Sequence, residues 1–358
     1  MGRRSVARTV TDRDMSDEDT ATTTPTPAAK HAASAATPTP ATTVPTLAGD
    51  EGSGARQPEI ELRVEVIAVF GPTASGKSAV AEPVADRLGT EVVSADAMQV
   101  YRGLPILTNQ PSRPTRLVAI RSLAEEMSLG AFAGLAHAEI DRLVGDRGAA
   151  VVSGGTGLYL RAALAELGVP PQAAPAVRER VEREVRLDPA AAHRRLALLD
   201  PAAAELVHPN DRKRLVRALE LAEAGRSLVA ARDRLWSGPT RRSTLIAGLD
   251  VAPDVLDRRI RQRTEAMFAR GVVDEVRAAL AGPVSRTAEK TLGLNEIAEL
   301  EPDEALERIV VRTRRYAAYQ RKWMRRVPGL VRFDAEREPD AVADEILARA
   351  RASSSLSD

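Results

Sequence analysis

The stretch VEVIAVFGPTASGKS, residues 64 to 78, sets a short β-branched apolar run against a glycine-rich octet that ends in Lys-Ser. The run VEVIAVF fits a buried parallel strand, and the apolar spacing of SAVAEPVADRL after the octet fits a helix. Strand, loop and helix in this order are the setting in which GxxxxGK[ST] holds phosphate, and Gly71, Gly76, Lys77 and Ser78 match that pattern. Glycines let backbone N–H groups close around phosphate oxygens and the helix N-terminus adds a favourable dipole. Lys77 brings a point charge, and the Ser78 hydroxyl suits Mg²⁺. Only five of the 51 basic residues are lysine, so Lys77 is not background usage. The bland alternative is a glycine turn that binds nothing. Pro83 inside the helix removes a backbone hydrogen bond and is expected to kink it.

Further strands read outward from this unit. EVVSA (91 to 95) ends at Asp96, AAVVS (149 to 153) runs into GGTGLYL, and TLIAGLDV (244 to 251) returns as a fourth. Strands alternating with helices imply an α/β fold, a doubly wound parallel sheet with ligands at the carboxyl ends of its strands. Leu256 to Leu280 and Asp303 to Val327 read as long helices. Between 168 and 240 lie short Arg-rich helical stretches punctuated by Pro and Gly, with no strand, which read as an inserted helical subdomain. The chain thus divides into a Thr/Pro/Ala-rich extension (1–60), a P-loop core (61–167 and 241–352) and the insert (168–240). The extension has almost nothing apolar to bury and is expected to be disordered and dispensable.

The 358 residues, 44% hydrophobic, suffice for two domains with sizeable cores. There is no cysteine, which excludes disulfides and thiolate metal sites and makes a cytoplasmic enzyme the expectation. No run approaches the ~18–20 apolar residues of a membrane span. The formal net charge of +1 averages unlike parts: from Arg308 to Phe333 there are nine basic residues and no acid. Such a block is the footprint of a polyanion partner or a solvated helix face. Ile309, Tyr316 and Trp323 recur every seventh residue there, with Tyr319 nearby. They read as a face packed on the core, with stacking on bases as the alternative. His31, His137, His193 and His208 are scattered and form no metal set.

A phosphate loop does not name its ligand. NTPases of this class place an Asp at the end of a second apolar strand to help hold Mg²⁺, yet AAVVS ends in Ser153, Gly154 and Gly155. Asp96 is the nearest strand-end carboxylate. It is open to three readings: a metal ligand, a general base beside the phosphates, or a turn aspartate.

Six stretches together resemble the tRNA dimethylallyltransferase family: GPTASGKS (71 to 78), SADAMQVYRGL (94 to 104), GGTGLYL (154 to 160), HPNDRKRLVRALE (208 to 220), DRRIRQRTEAMFARGVVDEV (257 to 276) and RRYAAYQRKWMRR (314 to 326). They span roughly Val64 to Asp334 in the family's order. The resemblance implies transfer of an isopentenyl chain to N6 of the adenosine 3′ of the anticodon, with dimethylallyl diphosphate and a tRNA anticodon stem-loop as substrates and Mg²⁺ as cofactor. It implies that Gly71, Pro72, Thr73, Ala74, Ser75, Gly76, Lys77 and Ser78 cradle the diphosphate, with Ser78 toward the metal. It gives Asp96 the N6 proton and sets Arg263, or Arg259 on the same helix, on the diphosphate. Asp96, Ala97, Met98, Gln99, Thr108 and Thr156 fall at the nucleotide, and Lys213, Arg214, Leu215, Val216 and Arg217 at a tRNA contact. A monomer is expected. Residues 105–150 match weakly: Gln110 stands for the family's lysine and Pro114, Thr115 and Arg116 for its Pro-His-His. Ala97 replaces a serine, and Gly293-Leu294 a glycine-tyrosine pair.

Three other readings share these features. A small-molecule kinase leaves DAMQVYRGL and the basic block unexplained. A prenyltransferase acting on free adenine nucleotides has no use for the Arg-rich insert. A non-catalytic RNA-binding protein has no use for Lys77, Ser78 and Asp96.

Overall fold

Five parallel strands carry the molecule, in the order β2-β3-β1-β4-β5: β1 (Val66–Phe70), β2 (Val92–Ser94), β3 (Ala150–Gly154), β4 (Thr244–Asp250) and β5 (Leu330–Asp334). This computed structural model describes residues 62–167, 173–229 and 238–352. The extension expected to be disordered, 1–60, lies outside the described residues. β1, the strand that precedes the phosphate loop, is fully buried at the centre. Its residues alternate between two cores, because side chains on a strand point to opposite faces. Val66, Ala68 and Phe70 join one cluster with α2 (Leu129–Arg147) and α3 (Gly157–Leu164). Ile67 and Val69 join the other with α1 (Lys77–Arg87), α8 (Pro253–Ala269), α11 (Pro302–Met324) and α12 (Pro339–Ala352). Helices on both faces of a parallel sheet make the fold doubly wound, as the alternation of elements implied.

At the carboxyl edge the register aligns Phe70 with Gly154 on one side and Gly248 on the other. A Cβ on Gly154 would lie 2.7 Å from the Ala95 carbonyl oxygen. The bare backbone there lets Ala95, just beyond β2, pair with β3 through Ala95 N–H to Ser153 O at 2.7 Å, and this sets where Asp96 leaves the sheet.

Residues 173–229 form α4 (Pro175–Leu187), α5 (Pro189–Leu199), α6 (Pro201–Leu206) and α7 (Arg212–Glu223) around their own core of Val181, Val185, Leu196, Leu215 and Leu219. Pro175, Pro189 and Pro201 sit at helix starts, where the missing N–H costs nothing. The aspartates before them cap: Asp188 accepts from Ala190 and Ala191 N–H, Asp200 from Ala203 N–H. HPND is the entry turn of α7, with Asp211 accepting from Arg214 N–H and His208 Nδ1 from Asn210 N–H. His193 Nε2 meets the carbonyls of Ala204 and Val207, tying α5 to α6.

Several local expectations shift. The helix read from Leu256 to Leu280 is two, α8 and α9 (Val272–Leu280), because Gly271 takes φ 87° between them. The strand read over 91–95 is the three residues of β2. α1 runs through Pro83 unbroken; the carbonyl that loses its partner belongs to Ala79, an exposed residue. β5 gave no sequence signal because it is an edge strand, with only Phe333 buried.

Gly154→Ala is expected to lower stability by roughly 1–3 kcal/mol, since the new methyl meets backbone oxygen rather than a movable side chain. Urea denaturation checks this through the midpoint at constant slope; an unchanged midpoint would mean that the end of β2 shifts freely.

Candidate active site

The glycine-rich loop is closed by contacts among its own residues. Gly71 is bare because a Cβ there would lie 2.6 Å from Ser75 Oγ, and Ser75 N–H donates to Pro72 O at 3.2 Å. Ala74 and Gly76 both take positive φ, 63° and 88°, which turns successive N–H groups inward as an anion-binding concavity. Gly76 is the N-cap of α1, so the loop opens onto a helix N-terminus. Lys77 Nζ donates across the loop to Pro72 O at 2.8 Å. Burial lowers the Lys77 pKa to about 8, with Asp96 opposing the shift and Arg263 adding to it. Ser78 is exposed and shares a small cleft with Glu82, Ser94, Gln99 and Ser153.

Arg263, from α8, donates to Thr73 Oγ1 at 3.0 Å, and burial lowers its pKa against the pull of Asp96. Arg259, the alternative partner for a diphosphate, turns instead toward Ala335 O at 3.4 and 3.5 Å, so Arg263 is the arginine that the fold brings to the loop. Asp96 Oδ1 accepts from the N–H groups of Met98 (2.9 Å) and Gln99 (3.4 Å). Its Oδ2 accepts from no described residue, and the side chain lines a cavity of about 310 Å³. Thr73, Asp96, Thr108 and Arg263 form polar parts of that cavity; Met98, Leu107, Ile260, Met267, Leu292 and Ile309 make its apolar wall. One carboxylate thus has an oxygen fixed by backbone and an oxygen open to an apolar chamber, beside two cations.

The remaining sequence candidates divide. Ala97, Met98 and Thr108 line the same cavity. Gln99 does not present a free amide: its Oε1 accepts from Ser94 Oγ and its Nε2 donates to the carbonyls of Thr108 and Asn109. It acts as a bracket that sets Thr108 opposite Asp96. Thr156 starts α3, and its Oγ1 meets the Tyr316 hydroxyl at 2.7 Å. In the insert, Leu215 is fully buried in the hydrophobic core; Val216 belongs to the same core and also lines the groove that carries Lys213. Arg214 faces Asp211 and Arg217 pairs with Glu220. Lys213 is exposed and lines a groove of about 1050 Å³ together with Arg178, Arg186, Arg212, Arg286 and Lys290. Arg286 spans that groove to Glu182 at 2.8 Å, an ion pair between core and insert.

The basic block is partly spent within the chain. Arg308, Arg312, Arg314 and Arg332 pair with Glu304, Glu296, Asp257 and Asp250. The aromatic stripe also divides. Ile309 is buried and Trp323 packs over Gly157, where a Cβ would be 2.5 Å from the indole. Tyr316 lines the cavity, as Ile309 also does, and Tyr319 is 52% exposed.

Three contributors escaped the sequence reading. Glu275 accepts from the N–H groups of Ile106 (2.7 Å) and Leu107 (2.8 Å), holding the turn that carries Thr108. Gln320 accepts from Thr73 N–H at 2.7 Å. Lys290 lines both the cavity and the groove. Glu275 and Gln320 both stand inside quoted stretches, but their partners lie 169 and 247 residues away in the chain.

Fold and site together define a doubly wound α/β protein whose glycine-rich loop opens beside an apolar chamber lined by one carboxylate, Asp96. The IPP transferase family model matches residues 99–327 and an isopentenyl transferase model residues 64–119. A tRNA dimethylallyltransferase of Anaeromyxobacter dehalogenans is 39% identical over 79% of this chain and 97% of its own length. Among solved structures, the tRNA isopentenylpyrophosphate transferase of Bacillus halodurans is 28% identical with TM-score 0.57, covering 82% of this chain and 98% of that one. A eukaryotic dimethylallyltransferase acting on tRNA is 25% identical with TM-score 0.64, covering 75% and 73%. The chain belongs to the tRNA dimethylallyltransferase family.

The depressed Lys77 pKa has a consequence for stability. Between pH of about 8 and the ordinary 10.5 the folded chain has released a proton that the unfolded chain still holds. Stability therefore rises with pH through that window on account of this residue. Urea unfolding of the parent and Lys77→Met across the window is expected to show the increment in the parent alone. Parallel curves would remove burial of the ammonium as its source.

Proposed function

We propose that the protein transfers a dimethylallyl group from dimethylallyl diphosphate to N6 of the adenosine on the 3′ side of a tRNA anticodon, releasing diphosphate. The observation that carries this reading is Asp96: its Oδ2 takes no hydrogen bond from a described residue, and its side chain lines an apolar-walled cavity together with Thr73 and Arg263 of the phosphate site. The carbon–oxygen bond to the diphosphate breaks, a carbon–nitrogen bond to N6 forms, and the N6 proton passes to Asp96.

An exocyclic adenine amine is a poor nucleophile, whereas an allylic diphosphate ionises readily once its oxygens are neutralised. Leaving-group stabilisation and positioning then dominate the rate enhancement. The inward N–H groups of the loop, Lys77 and Arg263 bind the diphosphate, and the apolar wall holds the prenyl carbons away from water. With Oδ1 fixed, Asp96 needs no reorientation to receive a proton.

Among the described residues no cluster of three or more His, Cys, Asp or Glu could hold a metal ion. This fits Mg²⁺, which keeps several waters and binds through few protein groups plus substrate phosphates; Ser78, exposed at the loop, would hold it. When bound it would supply neutralising charge to the leaving diphosphate.

The basic groove that carries Lys213 favours a macromolecular anion over a free nucleotide as the acceptor. Extruding one base from a stem-loop costs a few kcal/mol, which phosphate contacts along such a groove offset. Against a kinase, β3 ends in Ser153 and Gly154 without a metal-binding carboxylate.

Mass spectrometry of nucleosides from tRNA incubated with the protein, Mg²⁺ and dimethylallyl diphosphate tests the reading directly. Asp96→Asn, which keeps size but cannot take the proton, is expected to bind both substrates yet lose on the order of 10²–10⁴-fold in single-turnover rate. A parent-like rate in the folded variant would end the general-base assignment; weak donor binding rescued by high Mg²⁺ would make Asp96 a metal ligand.

A further inference from the structure

The apolar side of the cavity is the face of a packed core. Its wall residues Leu107, Met267 and Ile309 belong to one buried cluster, with Leu292 packed against it. Val272 and Val276 of α9, with Leu294 and Ile297 of α10 (Leu294–Glu299), complete that cluster. The wall has little slack. Gly293 is bare where a Cβ would stand 2.7 Å from Leu107 Cδ1 and 3.3 Å from Ile309 Cδ1. Ile260 belongs instead to the core that packs on the sheet.

One stripe of α8 runs past the whole cavity. Ile260, Arg263, Thr264 and Met267 all line it, at the i, i+3, i+4, i+7 spacing of a single helix face. Arg263 reaches the glycine-rich loop through Thr73 Oγ1. Met267 stands one turn further along, about 6 Å in rise, and is 6% exposed. With a diphosphate held at Arg263, burial of its apolar chain favours the Met267 side, where three residues of one cluster offer contact, over the single Ile260 at the other. The Met267 side ends in packed side chains rather than in solvent.

We propose that Met267, backed by Leu107 and Ile309, is the floor that limits the donor to one isoprene unit, and so determines which allylic diphosphate the protein uses. The inference rests on the transferase reading and deepens it. A second isoprene unit would have to displace side chains of a close-packed cluster, and overpacking of this kind is costly. Met267 is the part of the floor that can be removed with least disturbance. It is unbranched, and methionine positions tolerate substitution. Truncating it leaves an apolar cavity continuous with the chamber, of the kind that stays dry and accepts an apolar guest.

The test is a competition between dimethylallyl and geranyl diphosphate, supplied together with tRNA and Mg²⁺. Mass spectrometry of the product nucleosides separates the two transfers, and their ratio reads the ratio of kcat/KM. The parent is expected to favour the shorter donor by on the order of 100-fold. Met267→Ala is expected to cut that ratio at least about 10-fold through a gain on the longer donor, and Met267→Leu to keep it. Met267→Val, a smaller cut, is expected to fall between and serves if circular dichroism shows Met267→Ala unfolded. Met98→Ala is the comparison, since Met98 lines the cavity beside Asp96 and its sulfur accepts from Thr291 Oγ1. It is expected to slow both donors alike and leave their ratio unchanged. The parent ratio in folded Met267→Ala or Met267→Val, an equal fall in Met98→Ala, or a parent that takes both donors equally would overturn the floor and leave the transferase reading standing. No prenylated nucleoside from either donor with the parent would overturn both.

Discussion

The site depends on holding two cations against one loop, Lys77 at its helix end and Arg263 from α8, with Asp96 as their nearby counter-charge. Burial lowers both cationic pKa values, and each lysine proton is held against the added repulsion of the arginine. Asp96 offsets part of this, but it is held by backbone N–H groups rather than by either cation. The two cations thus outnumber their counter-charge, and the diphosphate proposed above would relieve that excess. A preorganised, unsatisfied electrostatic site is the form that leaving-group stabilisation takes.

That loop could not be so enclosed without places where side chains are missing. Gly155 lets Gln320, Gly71 O and Lys77 Nζ converge within 3.3 Å of where a methyl would stand, and Gly157 admits Trp323. These glycines are why α11 can lie directly over the loop. Gly154 does the same for Ala95, and so for Asp96. The stretch GGTG is thus three close approaches in succession, two to one helix and one to the end of a neighbouring strand.

Around this centre the rest of the chain supplies reach. The insert folds about its own small core and meets the catalytic core across a groove carrying six basic residues, with Arg286–Glu182 as an ion pair spanning it. An ion pair with Arg286 63% exposed contributes little stability in itself. Its weakness suits a joint that would open to the polyanion proposed above. Part of the basic block at 308–333 is paired within the fold, with Glu296, Asp257 and Asp250.

What the sequence determined by itself was whatever depends on local spacing. The period of VEVIAVF, the glycines and lysine of GPTASGKS and the prolines that open the insert's helices are read within a few residues, because strand pleat, loop curvature and capping are short-range physics. The carboxylate at the end of β2 was legible for the same reason. Tertiary structure decided everything that rests on partners far apart in the chain: that Gln320 takes the N–H of Thr73, 247 residues away, that Glu275 holds the turn of Thr108, that Arg263 rather than Arg259 faces the loop, and that Leu215 faces a core. Composition cannot tell a solvated arginine from one paired with an aspartate on another helix, since both are arginines on an exposed helix. Nor can it find β5, an edge strand with one buried side chain, because only the neighbouring strand β4 makes those five residues a strand.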